Sequence, residues 1–298
     1  MKCPCARKRN GWRPSKRRSK TVTLGAWLAE GINKLANSGE HISALHAITE
    51  SVIQHQAAWQ ISNPQFPLTD RQAADLQKKL ECLLIGTPLA YITGKKAFYG
   101  RDFFVNENVL IPRPETELLV DHAIAVSQQT APPTRIADVG TGSGCIAISL
   151  ASAIPQCAIL ATDISFAALA LAKNNAQQLD ALEKIHFVQV NLLDGIDCSF
   201  DIICANLPYI PRRALEKLDV NQHEPSLALD GGEDGLALIK QLLSKMRKNT
   251  RPGTIALFEI EAPQGTAFTR LCKAFYPQAS IKIIRDLAGH DRLGIIHL

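Results

Sequence analysis

Three closely spaced glycines and a later acidic residue form the first spacing that could do chemistry. Gly140, Gly142 and Gly144 follow a short apolar run, and a helix-like apolar segment follows them. A second short apolar run then ends at Asp163. Glycine lets the backbone approach a ligand closely and reach positive φ, and a carboxylate after the next strand can accept hydrogen bonds from both hydroxyls of a ribose. This spacing predicts a site for a ribose-bearing cofactor, without saying which one.

A second polar group, Asn206-Leu207-Pro208-Tyr209, directly follows another apolar run, residues 200–205. Ligands of open α/β sheets bind beyond the carboxyl ends of the strands, so we expect this tetrapeptide opposite the glycine turn. The Asn206 side-chain oxygen and the Leu207 carbonyl can accept both N–H bonds of a planar nitrogen and hold it for in-line attack on a sulfonium methyl group. Pro208 would stiffen the turn, and the Tyr209 ring can stack on a flat target. Alone the tetrapeptide is typical of a β-turn; its position favours methyl transfer.

The elements that must position these residues alternate between strands and helices. Apolar runs predict strands at residues 136–139, 158–163, 185–190, 200–205, 254–260, 280–286 and 293–297, with helices between most of them. We expect the last two strands to form an antiparallel ribbon. The prediction is an α/β fold, a seven-stranded doubly wound (Rossmann-like) sheet in its methyltransferase variant rather than that of a dehydrogenase.

The N-terminal part has a different pattern. Residues 23–87 carry apolar residues at three-to-four-residue spacing, which predicts a small helical bundle with Thr69 or Asp70 as one helix cap. Residues 91–111 are rich in aromatic and β-branched residues with turn signals, and predict a β-hairpin. The predicted organisation is therefore a basic extension (1–20), a helical recognition domain (21–90), a hairpin linker (91–112) and a methyltransferase domain (113–298).

The net charge of +5 is unevenly distributed, because residues 1–20 contain nine Lys or Arg and no acid. The other residues carry 24 basic and 28 acidic side chains, a net charge of −4. We expect residues 1–20 to be a disordered extension; a weak contact with nucleic acid or the ribosome is the alternative. No apolar run approaches the roughly 18 residues of a membrane span. Eight scattered cysteines indicate a reducing, cytoplasmic setting, and the single close pair, Cys3 and Cys5, predicts no metal site.

Over about residues 24–298 the chain resembles the HemK-type protein-(glutamine) methyltransferases. Five motifs in order carry the resemblance: residues 111–117, 138–144, 206–209, 224–232 and 286–292. The segment Ile111-Pro-Arg-Pro-Glu-Thr-Glu117 is similar to the branch that acts on release factors. The resemblance implies an enzyme that transfers a methyl group from S-adenosylmethionine to the glutamine of the Gly-Gly-Gln motif in peptide chain release factors.

The resemblance also implies roles for individual residues. The methionine end of the cofactor would lie on Gly140, Thr141, Gly142, Ser143 and Gly144. Asp163 would bind the ribose, Asn191 and Leu192 would flank the adenine, and Asn206 would adjoin the cofactor. The glutamine would be held by Asn206, Leu207, Pro208 and Tyr209. Two residues depart from the family pattern: Leu207 stands where a proline is usual, and Asn191 where an aspartate is frequent.

Two other interpretations remain at this point. An adenine-amino methyltransferase acting on DNA or RNA would use the same tetrapeptide, although residues 21–298 are net acidic and show no basic stripe for a duplex. A catalytically weak protein that docks on release factors through residues 23–90 is the third hypothesis, motivated by Leu207. We expect a monomer that contacts no membrane.

Overall fold

The computed structural model describes residues 22–36, 41–216 and 223–298. The chain divides into two compact units, with the boundary between Gly94 and Lys95. The predicted basic extension, residues 1–20, lies outside the described residues.

The first unit is helical. Its helices are α1 (Leu24–Leu35), α2 (Ile42–Ile53), α3 (Ala57–Ser62), α4 (Asp70–Leu84) and α5 (Leu89–Thr93). Thr69 begins α4 with a capping box, in which its hydroxyl accepts from the Gln72 N–H and the Gln72 side chain accepts from the Thr69 N–H. The core contains Leu24 and Trp27 but not Ile32, which is 39% exposed despite its helical spacing. Gly31 explains this, because it lies directly against Leu45 and turns Ile32 outward.

A β-hairpin opens the second unit. Strands β1 (Lys95–Phe98) and β2 (Arg101–Phe104) pair antiparallel through a two-residue turn, Tyr99-Gly100, with positive φ at both residues (49° and 72°). The Tyr99 N–H donates to Glu117 and its hydroxyl to Asp121, which fixes the turn on the following helix. The hairpin is shorter than the predicted span 91–112, because residues 91–93 belong to α5.

The main sheet has seven strands. They are β3 (Thr134–Val139), β4 (Cys157–Asp163), β5 (Ile185–Gln189), β6 (Ile202–Ala205), β7 (Ile255–Glu259), β8 (Ser280–Arg285) and β9 (Asp291–His297), in the spatial order β5-β4-β3-β6-β7-β9-β8. Strands β3 to β7 are parallel, and β9 is antiparallel to both of its neighbours. The predicted seven-stranded fold with a terminal antiparallel ribbon is confirmed.

Helices cover both faces of this sheet. They are α6 (Glu117–Ser127), α7 (Cys145–Ala153), α8 (Phe166–Gln178), α9 (Arg212–Leu215), α10 (Ala237–Lys245) and α11 (Gly265–Phe275). One apolar core joins the sheet to α6, α7 and α8, and the other joins it to α10 and α11. The strand order reverses between β3 and β6, so the carboxyl ends of these two strands border a crevice, the usual ligand site of such sheets.

Candidate active site

A cavity of about 310 Å³ opens at the carboxyl ends of β3, β4 and β6. Its volume lies in the range of small-molecule sites. Residues 140–143 of the glycine turn, Asp163, and the pair Asn191-Leu192 all border it. Asn206, Leu207 and Pro208 border it from the neighbouring strand. The fold therefore brings two predicted groups, far apart in the sequence, to one cavity.

Asp163 fixes the glycine turn at the end of β4. Its Oδ2 accepts the Gly142 N–H at 2.9 Å, and its Oδ1 accepts the Ser165 N–H at 2.8 Å. A carboxylate oxygen has two lone pairs, so each of these atoms can accept one more hydrogen bond. Asp163 is half-buried and borders the cavity. It can hold the turn and bind a vicinal diol at the same time.

Two glycines of the turn have different tasks. Gly140 has φ +75°, which favours glycine, and a Cβ there would lie only 3.0 Å from Leu207 Cδ2, so a side chain would crowd Leu207. Gly144, with φ +81°, faces Ile148 and Ala172 and does not border the cavity. Gly144 packs α7 against α8, and its predicted place beside the cofactor stays a prediction.

Asp138 lies buried beneath the turn. Its Oδ2 accepts the Thr141 hydroxyl at 2.6 Å and the Ala147 N–H at 3.1 Å, and its Oδ1 has no partner among the described residues. Burial raises its pKa from an ordinary value of 3.8 to about 6; the two hydrogen bonds act in the opposite direction, and the charge of Asp163 raises it further. An unpaired carboxylate oxygen therefore lies buried behind the cavity wall.

This pKa predicts a pH dependence of stability. Because the folded-state pKa of Asp138 is raised, its contribution to stability is present at low pH and is lost as the pH rises through about 6. Relative to Asp138→Asn, the wild type should lose on the order of 2 kcal/mol of unfolding free energy between pH 4 and pH 7. Urea unfolding of both proteins across this range measures the difference. A constant difference would contradict the prediction.

The tetrapeptide follows β6 and is held from below by a buried carboxylate. Asn206 Nδ2 donates to Thr116 Oγ1 at 3.0 Å, and that hydroxyl donates to Glu259 Oε2 at 2.6 Å. The Tyr209 hydroxyl donates to Glu259 Oε1 at 3.2 Å. Burial and the charge of Glu259 both raise the pKa of Tyr209, so its ring stays neutral. Gln264 also fixes the turn, since its Nε2 donates to the Tyr209 carbonyl at 2.9 Å.

A second, smaller cavity of about 80 Å³ adjoins the first. Tyr209 and Arg113 border it on one side. Five residues border both cavities and form a shared wall: Leu110, Asn206, Leu207, Pro208 and Ala228. Three residues of the tetrapeptide, Asn206, Leu207 and Pro208, thus border both cavities, and Tyr209 borders the smaller one.

Comparison with known proteins agrees with this geometry. The PrmC N-terminal domain family matches residues 26–94, and the Methyltransferase small domain family matches residues 115–222. A release factor glutamine methyltransferase of Enterococcus faecalis is 40% identical over 78% of this chain and 83% of its own length. One from Moorella thermoacetica is 35% identical over 91% of this chain and 97% of its own. The chain belongs to the release factor glutamine methyltransferase family.

A solved structure shows the fold independently of close sequence similarity. The hMettl16 catalytic domain, solved in complex with MAT2A 3′UTR hairpin 6, is 16% identical to this chain with a TM-score of 0.53, covering 76% of this chain and 82% of that domain. At that identity the likeness concerns the fold alone.

Leu207 stands where the resemblance implies a proline. Its side chain is 3% exposed and packs over Gly140 in the core shared with α10. A proline would restrict the turn through its ring; here burial of the leucine side chain anchors it instead. The Leu207 carbonyl therefore keeps a fixed support despite the substitution.

Truncation of the Leu207 side chain should destabilise the fold. We expect Leu207→Ala to lower the free energy of unfolding by about 2–5 kcal/mol, because it removes buried methyl groups and leaves a cavity. Leu287→Ala is the matched control, since Leu287 is fully exposed and its truncation should cost little. Urea unfolding of both variants decides the point. Equal small losses would show that Leu207 does not anchor the turn.

Several residues of the site were not singled out by the motifs alone. Thr116 and Glu259 support Asn206, as described above. Buried Glu224 accepts from the Ile111 N–H at 3.1 Å and pairs with Arg113 at 2.5 Å, so it joins the segments 111–117 and 224–232. The place of Glu259 in the sequence could have identified it as a site residue. Like Asp163, it is an acidic residue at the end of a buried apolar strand.

The described part of the chain was searched for metal-binding clusters and for membrane-spanning helices. There, no group of three or more His, Cys, Asp or Glu side chains is placed to hold a metal ion. Across residues 22–36, 41–216 and 223–298, no helix combines the length and apolar character that a bilayer crossing requires.

Proposed function

We propose that this chain transfers a methyl group from S-adenosylmethionine to the side-chain amide nitrogen of the glutamine in the Gly-Gly-Gln motif of peptide chain release factors. The observation that carries the proposal is the shared wall between the two cavities, which contains Asn206, Leu207 and Pro208. The names of the relatives from Enterococcus faecalis and Moorella thermoacetica support the same activity.

The larger cavity has the features that a sulfonium nucleoside requires. The Asp163 carboxylate retains acceptor capacity for ribose hydroxyls, and the turn at Gly142 leaves open space above its backbone. Leu192 supplies an apolar surface for the adenine ring, and Asn191 an amide that can pair with its edge. S-adenosylmethionine supplies an electrophilic methyl group when bound. These residues are our proposed cofactor contacts, together with Thr141, Ser143 and Asn206.

The smaller cavity suits the planar amide of glutamine. The Asn206 side-chain oxygen and the Leu207 carbonyl would accept its two N–H bonds, and Tyr209 would pack against its plane. Two fixed acceptors orient a nitrogen whose lone pair is delocalised, and they stabilise positive charge that develops on it during transfer. The nitrogen becomes acidic only after it is methylated, so no strong general base is needed. Pro208 limits movement of the turn.

The remaining assignments extend this proposal to the whole chain. Residues 21–90 would recognise the body of the release factor, while the second unit performs the transfer. The enzyme would act as a monomer in the cytoplasm, where translation terminates. The basic residues 1–20 would add at most a weak contact with nucleic acid or the ribosome.

One transfer assay tests the proposal. The full chain is incubated with methyl-labelled S-adenosylmethionine and either a release factor, the same factor with Gln→Ala in its Gly-Gly-Gln motif, or DNA and RNA. We expect label only in the unaltered release factor. Label in nucleic acid would instead show an adenine-amino methyltransferase. Cofactor binding without any transfer would show a docking protein.

A further inference from the structure

A single buried carboxylate lies beneath both ends of the tetrapeptide. Glu259 is the last residue of β7, beside β6, and is 2% exposed. It accepts the Thr116 hydroxyl through one oxygen and the Tyr209 hydroxyl through the other. Burial raises the pKa of Glu259, whereas both hydroxyls and the charge of Arg292 favour its ionised form, and Glu115 opposes it. With Glu259 as a carboxylate, each of its two oxygens accepts one of these hydroxyl groups.

The direction of these hydrogen bonds is determined by counting protons. Thr116 has one hydroxyl proton, and its 2.6 Å contact with Glu259 is the short distance of a hydroxyl donating to a carboxylate. Only lone pairs then remain on Thr116 Oγ1 for its other neighbour. The atom of Asn206 that lies 3.0 Å from it must therefore be a donor, the amide Nδ2.

This count determines which end of the Asn206 amide faces the cavities. With Nδ2 held by Thr116, the side-chain oxygen is the atom left to face a ligand, and none of the described residues donates to it. A rotation of the amide by 180° would turn its NH₂ group toward the substrate N–H that the Asn206 oxygen is proposed to accept. It would also set Asn206 Oδ1 against a lone pair of Thr116 Oγ1. Both contacts would be repulsive.

We propose that Thr116 and Glu259 are positioning residues, which hold the Asn206 amide with its oxygen toward the substrate nitrogen. The inference rests on the proposed function for its substrate and extends it by two residues outside the tetrapeptide. Within the segment 111–117, Thr116 places its hydroxyl between the side chains of Asn206 and Glu259.

Three variants test the proposal in the full chain. Thr116→Val removes the acceptor for Asn206 at nearly constant volume. Glu259→Gln is isosteric, but the new side-chain amide can donate to Thr116. The Thr116 hydroxyl is then free to donate to Asn206, which favours the rotated form of the Asn206 amide. Thr116→Ser restores the hydroxyl. We expect the first two to lower kcat at least tenfold and Thr116→Ser to recover it to within threefold of the wild type.

Thr254→Val is the matched control. Thr254 is also fully buried and bridges two groups, since it donates to the Phe200 carbonyl at 2.7 Å and accepts the Arg251 N–H at 2.9 Å. It lies before the opposite end of β7, away from the cavities. We expect this variant to lose stability while kcat is unchanged at a temperature where all the proteins are folded.

A spectroscopic readout tests the hydrogen bond without any substrate. Protein labelled with ¹⁵N-asparagine shows the Asn206 side-chain amide as the signal absent from Asn206→Ala. We expect slow hydrogen exchange at this amide in the wild type and in Thr116→Ser, and faster exchange in Thr116→Val and Glu259→Gln. Because the enzyme alone is used, this arm decides the inference even if no release factor is methylated.

The outcomes separate the two proposals. If the wild type transfers no label to a release factor, the proposed function fails, and the exchange data alone decide the positioning role. If the wild type is active and Thr116→Val and Glu259→Gln retain its kcat, the positioning role fails and the function stands. The role also fails if kcat falls only in proportion to unfolding, as Thr254→Val would show, or if Asn206 exchange does not change.

Discussion

Asn206→Ala is expected to slow methyl transfer to a release factor by roughly 10²–10³-fold. The variant removes an oriented acceptor at the position where positive charge develops on the amide nitrogen, which is comparable to the loss of one oxyanion-hole donor, about 2.7–4 kcal/mol. The contact strengthens as the nitrogen becomes tetrahedral, so the loss should appear mainly in kcat. Single-turnover transfer of labelled methyl groups measures it.

Asn249→Ala provides the control for this experiment. Asn249 is buried and donates to the carbonyls of Ile196 and Cys198, remote from both cavities. Its replacement should reduce stability without reducing turnover of the folded protein. If Asn206→Ala is folded and turns over at the wild-type rate, the role assigned to the Asn206 oxygen is wrong.

Asp163→Ala is expected to weaken the binding of S-adenosylmethionine by roughly 10- to 150-fold. A hydrogen bond to a charged group contributes about 1.5–3 kcal/mol, and this substitution removes the acceptor proposed for the ribose. It also releases the Gly142 and Ser165 N–H groups, so the turn loses its support. Calorimetric titration of the cofactor into both proteins gives the ratio of dissociation constants.

Two further variants interpret this result. Asp163→Asn keeps one oxygen acceptor without the charge and should bind the cofactor with intermediate affinity. Asp194→Ala removes a half-exposed aspartate that pairs with Lys245 at 2.6 Å, and should leave affinity unchanged. A dissociation constant for Asp163→Ala that matches the wild type would show that the carboxylate does not bind the ribose.

The sheet and the two main site groups could be predicted because their signals are local. Asp163 and Asn206 each follow a buried apolar run, and parallel strands place their carboxyl ends at the same edge. The same logic predicted the terminal ribbon. Two details differ from the prediction. Gly31, and not Ile32, lies against Leu45, which is a tertiary contact. Gly94, with φ +76°, ends the short helix that replaced the first residues of the predicted hairpin, which is a local effect.

The support beneath Asn206 could not be predicted in this way. Thr116 and Glu259 are 143 residues apart, and no periodicity relates a 3₁₀ turn before α6 to the end of β7. The roles of Gly140 and Gly144 also depended on their neighbours, since spacing alone does not distinguish a glycine that adjoins a ligand from one that packs two helices. Such contacts become visible only once strand order and register are known.

The shared wall has a thermodynamic consequence. Five residues border both cavities, so a ligand in one cavity lies against residues that also line the other: Leu110, Asn206, Leu207, Pro208 and Ala228. Any free energy by which one ligand orders this wall for the other must also act in reverse, because coupling between two binding equilibria is reciprocal. If a bound release factor raises the affinity of the enzyme for the cofactor, bound cofactor must therefore raise its affinity for the release factor by the same factor.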